Sequence, residues 1–148
     1  KRLQQFAAAG GRVVYVDFAH APSKVKASVD AVAEQYPGKK LVAVLELHTY
    51  SSLSAGFLPL YQGTLGNAGV AMVYFNPHAI TMKKLPEITP EEVSVAFGKE
   101  NILVFNDSAR LLEALMSVRG DEVIFLFMSS GDFNGTDMQL LSDKLVNL

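Results

Sequence analysis

Cysteine is absent from the 148-residue sequence. That excludes disulfides and thiolate metal sites and fits a reducing, cytoplasmic setting. No basic cluster is present, and the formal net charge is −2. Nothing therefore displaces phosphate counterions, and no nucleic-acid surface is expected. The longest apolar run, Val123–Met128, is about a third of what a membrane helix needs, so no membrane partner is expected. The sequence has no internal repeat, low-complexity tract or charged linker. It also lacks the spacings GxGxxG, GxxxxGK followed by Ser or Thr, HExxH and GxSxG, which would announce a phosphate loop, a metalloprotease or a hydrolase. No catalytic residue and no metal ligand is nominated. The chain begins at Lys1 without methionine or a secretory segment, so residues 1–148 are expected to be a single domain cut from a longer polypeptide.

What is present is apolar bulk, 49% of residues, arranged as a recurring strand–helix alternation. Residues 12–18 (RVVYVDF) are β-branched and aromatic and follow the turn dipeptide Gly10-Gly11; residues 6–9 could form a hairpin partner. Between Pro22 and Tyr36 the apolar Val25, Val29, Val32 and Tyr36 share one helical face, and Pro22 suits a first turn. Strands are expected at residues 41–47 (LVAVLEL), 70–75, 102–105 and 122–128. A weaker helix is expected at residues 51–67, interrupted by Gly56, Pro59 and Gly63, with a loop after residue 75 containing His78. Thr89-Pro90-Glu91-Glu92 reads as a capping box opening a helix to about Phe97. Asp107 caps a helix carrying Leu111, Leu112, Leu115 and Val118, and a last helix covers residues 136–146.

The strands are continuous apolar runs rather than alternating ones, as expected where helices cover both faces of a parallel sheet. The expected fold is α/β: a doubly wound, mostly parallel, Rossmann-like sheet of five to six strands with helices on both faces.

Ligands of such sheets bind beyond the carboxyl ends of the strands. Three of those ends are polar here. The first gives Asp17, Phe18 and His20; the second gives Glu46, His48, Thr49, Tyr50, Ser51 and Ser52; the last gives the loop from Ser129 to Gly135. Each has two readings at this level. The histidines can contact a ligand or sit solvated in turns. Asp17 can bind or cap. The last loop can cradle an anion with backbone N–H groups, or can simply need small residues.

Residues 17–23 (DFAHAPS) resemble the first motif of the C-terminal domain of the Mur ligases. There Asp precedes an aromatic residue, a small residue, His, any residue, Pro and a hydroxyl residue. Further likenesses run in order: Lys1-Arg2-Leu3-Gln4 resembles the end of the linker from the central domain, residues 42–46 with His48 the second-strand motif, and Met128-Ser129-Ser130-Gly131 to Gly135 the closing glycine-containing loop. Within the family the wording is similar to the muramate-acting ligases, more to the murein peptide type than to the alanine-adding type.

The resemblance implies an ATP- and Mg²⁺-dependent ligase of peptidoglycan synthesis or recycling. It would join an amino acid, or the tripeptide L-alanyl-γ-D-glutamyl-meso-diaminopimelate, to UDP-N-acetylmuramate through an acyl phosphate. It implies that N-terminal and central domains carry the phosphate loop and hold most of the ATP and Mg²⁺, so that this fragment alone is inactive and closes over the nucleotide while positioning the amine. Arg2 and Asp17 would then contact the nucleotide, while Phe18, His20, His48 and Thr49 would border the amine substrate. Departures from the family pattern are Ala21, where many muramate ligases have a second histidine, and Leu47, Thr49 and Ser52, where proline and arginines are usual; Lys24 is a candidate replacement for the missing carboxylate partner. A non-catalytic nucleotide- or peptide-binding module is the alternative from another class.

Overall fold

The computed structural model describes residues 3–148. Strand β1 (Gln4–Ala9) turns through Gly10-Gly11 into the antiparallel β2 (Arg12–Asp17). Both glycines have positive φ, and a Cβ on Gly11 would stand 2.6 Å from the Asp121 carbonyl oxygen. The second glycine is therefore required by space as well as by conformation. β3 (Lys40–Leu47), β4 (Val70–Phe75), β5 (Leu103–Phe105) and β6 (Val123–Met128) complete a six-stranded sheet in the order β1-β2-β6-β3-β4-β5, parallel everywhere except at β1. The expected fold class is observed.

Alternate residues of the buried strands feed two separate cores. On one face Tyr15, Ala43, Leu45, Val73, Leu126 and Met128 meet α1 (Pro22–Gln35) through Val25, Val29 and Val32, and α3 (Pro90–Phe97) through Val93 and Phe97. On the other, Val14, Val44, Phe125 and Phe127 meet α4 (Ser108–Met116) through Leu111 and Leu115, and α5 (Met138–Val146) through Leu141 and Leu145. Burial on both faces explains why the strands lack polar alternation. The capping signals form as expected. Thr89 and Glu92 exchange side-chain-to-backbone bonds of 2.8 and 3.1 Å, and Asp107 accepts from the Ala109 N–H at 2.9 Å.

Two expectations fail. Residues 51–67 are not a helix but successive turns around one 3₁₀ turn, Leu58–Tyr61. Pro59 offers no N–H, and Gly63 adopts φ 79°, so a continuous helix cannot propagate. Of the apolar series Leu53, Phe57, Leu60 and Leu65 that suggests a helix, Leu53 and Leu65 are buried while Leu60 is 61% exposed, so the spacing marks no common buried face. His78, expected in a loop, is the second residue of a short helix, α2 (Pro77–Met82). The Asn76 side chain accepts from its N–H at 2.9 Å, an N-cap followed by proline at the first position. Among the described residues no helix is long and apolar enough to cross a membrane.

Candidate functional site at the carboxyl rim

β6 lies between β2 and β3, so the loops that leave these three strands are neighbours. The chain leaves β2 for the face covered by α1 and leaves β6 for the face covered by α5. A crevice opens where such connections diverge.

At the end of β2 the Asp17 carboxylate accepts from the Ala19 N–H at 3.2 Å and from the Ser28 hydroxyl on α1. The turn is thereby tied down to the helix it feeds. The backbone N–H of Ser129, just past β6, donates to the Asp17 carbonyl at 3.1 Å. Phe18 projects outward, 43% exposed, with the His20 ring edge-on at 5.3 Å. His20 Nδ1 donates to the Phe18 carbonyl at 3.0 Å; in the neutral imidazole this leaves Nε2 as the acceptor. Asp17, Phe18, His20, Lys24 and Ser28 line a cavity of about 520 Å³. A second, of about 220 Å³, is lined by His20, Thr49, Ser51, Phe57 and Tyr61. His20 thus borders both.

The β3 end is fixed differently. Thr49 and Ser52 exchange side-chain-to-backbone bonds of 3.0 and 3.1 Å that close the turn. His48 lies close against Gly131 of the β6 loop: a Cβ there would fall 2.8 to 3.0 Å from three of its ring atoms. His48 lines neither cavity but lies on the same rim. One of the six nominated residues, Arg2, falls outside the described residues. Of the rest, Asp17, Phe18 and His20 share the larger cavity, Thr49 shares the smaller with His20, and His48 seats on Gly131.

Sequence reading leaves two organising residues without a role. Glu46, 3% exposed on β3, accepts from the Ser129 hydroxyl at 2.6 Å and from the Phe133 N–H at 2.9 Å. It latches a loop in which Phe133, Asn134 and Gly135 have φ of 51°, 59° and 74°. Burial, and then the Glu46 charge, push the phenol of Tyr74 opposite it in register upward. Of the loop's N–H groups, Gly131 donates to Ser129 Oγ, Phe133 to Glu46, Gly135 to Asp132 Oδ1 and Thr136 to the Asp132 carbonyl. These four donors are spent internally, while the N–H groups of Ser130, Asp132 and Asn134 make no hydrogen bond among the described residues, so both readings of the loop stand. The second missed residue is Tyr61, whose hydroxyl donates to the His20 carbonyl oxygen at 2.5 Å. Among the described residues no three His, Cys, Asp or Glu side chains cluster as metal ligands.

The family model described as "Mur ligase, glutamate ligase domain" matches residues 1–131. The chain belongs to the Mur ligase family. Within that family it is 34% identical over 139 residues to UDP-N-acetylmuramate–L-alanine ligase of Chlorobaculum tepidum, a match covering 89% of this chain and 29% of the relative. The chain thus spans less than a third of that relative's length. In fold it is similar to a crystallised domain from a putative UDP-N-acetylmuramate:L-alanyl-γ-D-glutamyl-diaminopimelate ligase of Haemophilus ducreyi, with a TM-score of 0.65, 22% identity and coverage of 99% of this chain and 98% of that one. It is also similar to the MurF ligase of Thermotoga maritima in complex with ADP, with a TM-score of 0.60, 16% identity and coverage of 95% and 30%. The expected family is therefore met, and its first motif, residues 17–23, sits on the rim where three strands of the sheet end.

Proposed function

We propose that the chain is the C-terminal domain of an ATP-dependent ligase that forms an amide between UDP-N-acetylmuramate and an amine, either an amino acid or the tripeptide L-alanyl-γ-D-glutamyl-meso-diaminopimelate. The observation that carries this reading is the meeting of Asp17, Phe18, His20 and Lys24 around one cavity at the carboxyl rim, in a chain whose family is that of the muramate ligases. The 34% identity to an alanine-adding relative favours L-alanine as the amine.

The cavity of about 520 Å³ suits a place where part of a nucleotide meets the amine substrate: it offers a carboxylate and a hydroxyl to the one and an ammonium and an exposed aromatic ring to the other. ATP supplies the phosphoryl group that activates the muramoyl carboxylate, and it and Mg²⁺ are held mainly by the central domain that precedes this one. Asp17, with lone pairs left beyond its two intramolecular bonds, accepts from the ribose hydroxyls, and Arg2, which can only donate, contacts the same region of the nucleotide. Phe18 and His20 border the amine, with His48 and Thr49 on the facing strand end. Lys24 attracts the amine substrate's carboxylate as a point charge, in place of the bidentate arginine usual in the family. The domain works by orienting the amine and excluding water.

The test is an amide-forming assay of the full-length protein with ATP, UDP-N-acetylmuramate and each amine in turn. Product with L-alanine or with the tripeptide supports the reading. ATP and UDP-N-acetylmuramate bound without amide formed from either amine refutes it in favour of a binding module.

A further inference from the structure

We infer that Tyr61 is a positioning residue for the amine side of the rim: its hydroxyl fixes the backbone of His20 from the segment that follows β3. The inference rests on the proposed place of His20 beside the amine.

The segment carrying Tyr61 has almost no regular structure, so its side-chain contacts set where it lies. The Tyr61 ring is 1% exposed. It stacks on Phe97 of α3, centroids 5.0 Å apart and planes 16° apart, with Phe57 edge-on at 5.9 Å. The Gly63 N–H donates to the Phe97 carbonyl at 3.2 Å, clamping the same junction. Phe57 and Phe97 need no hydroxyl to pack there. A phenol in that position buries a polar group, which is costly without a partner, and the partner it meets is the His20 carbonyl, 41 residues earlier in the chain. Burial pushes the Tyr61 phenol up to about 12, so it remains a donor throughout the neutral range.

His20 is consequently held at two points. Its imidazole is tied to the Phe18 carbonyl and its own carbonyl to Tyr61. On either side, the Ala19 N–H is bound by Asp17 and the Ala21 carbonyl accepts the first bond of α1, from Val25 at 2.9 Å. Tyr61 is the one tie in this set that comes from across the smaller cavity, on whose wall it stands with Thr49 and Ser51. Removing its hydroxyl frees the His20 peptide relative to the β3 side while leaving the aromatic stack in place.

The experiment is Tyr61→Phe in the full-length protein, with His20→Ala beside it. Amine and ATP are varied separately, and rates are read well below each variant's unfolding midpoint. The expected result is a fall of about fivefold to tenfold in kcat/KM for the amine, the scale of one neutral hydrogen bond. KM for ATP should stay within about twofold of the parent value, with little change in Tm. An amine kcat/KM within about twofold of the parent overturns the inference, and so does an equal loss for amine and ATP. A loss in Tyr61→Phe with none in His20→Ala overturns the assignment of His20 and, with it, the inference that Tyr61 acts through His20, whereas a loss in His20→Ala alone overturns the role of Tyr61 and leaves His20 in place. No loss in either variant overturns both.

Discussion

Replacing Gly131 by alanine should displace the His48 ring with little effect on the fold. The new Cβ would lie 2.8 Å from His48 Cγ, 2.9 Å from Cδ2 and 3.0 Å from Nδ1. Carbon–carbon contacts are optimal at about 3.5–4.0 Å, so the ring has to retreat by roughly 1 Å. Gly131 is not among the glycines with positive φ, and alanine therefore adds no backbone strain. His48 is only half-buried and can swing outward at about 0.5–1.5 kcal/mol, the usual cost of leaving a rotamer well. For a domain of this size that is a few degrees in Tm. A misplacement of about 1 Å in a substrate-positioning group can cost as much as 10²-fold in rate. Gly131→Ala in the full-length protein should accordingly lose at least about tenfold in kcat/KM for the amine, with Tm lowered by no more than roughly 5 °C. The assays are amide formation with varied amine and thermal unfolding of the same preparations. Undiminished ligation would refute the claim that the seating of His48 on Gly131 matters. A large drop in Tm would refute the claim that the ring can yield.

Asp17→Ala should cost about 1–3 kcal/mol of stability and weaken ATP binding, whereas Ser28→Ala, which removes one donor to Asp17 and one hydroxyl of the cavity, should lower stability and weaken ATP binding by less than Asp17→Ala does, as read by thermal unfolding and nucleotide titration. Arg12 reaches the Val118, Gly120 and Leu145 carbonyls from the opposite rim; Arg12→Lys cannot replicate that fork, and a loss of about 2–4 kcal/mol in denaturant unfolding with unchanged kinetic constants is expected. In alkali the tyrosines decide. The folded-state value of Tyr61 lies above its ordinary one, at about 12, so its contribution is complete below about pH 10 and is lost as pH rises toward and through 12. Two pH units correspond to up to about 2.7 kcal/mol, and urea unfolding between pH 9 and 12 should show a decline that Tyr61→Phe reduces.

How much of this was legible in the sequence depends on whether a residue's role is set locally. Strands buried on both faces show as apolar runs, and caps such as Thr89 with Glu92 or Asp107 are short-range signals; both were read correctly. The turns at residues 51–67 misled because Leu53, Phe57, Leu60 and Leu65 fall at a roughly helical spacing even though proline and glycines forbid the helix and Leu60 is left exposed. α2 escaped notice because a six-residue helix has too few turns to show a period, although Asn76-Pro77 was a cap and first-turn pair waiting to be read.

The rim shows the same division. Asp17 and His20 stood out because they lie in one βα turn and match a contiguous motif. The bonds that shape the site cross the chain instead: Glu46 reaches Ser129 and Phe133 over 83 and 87 residues, and Tyr61 reaches His20 over 41. No local pattern announces such partners, yet there was a thermodynamic hint. A glutamate inside LVAVLEL is a carboxylate in a strand with no solvated face, and burying it unpaired would cost several kcal/mol. Such a residue has to be matched by donors from a loop elsewhere in the sequence. In the structure the loop after β6 supplies them, through the Ser129 hydroxyl and the Phe133 N–H. A buried acid in an otherwise apolar strand therefore points to the segment that organises the site, even where it is not itself a ligand.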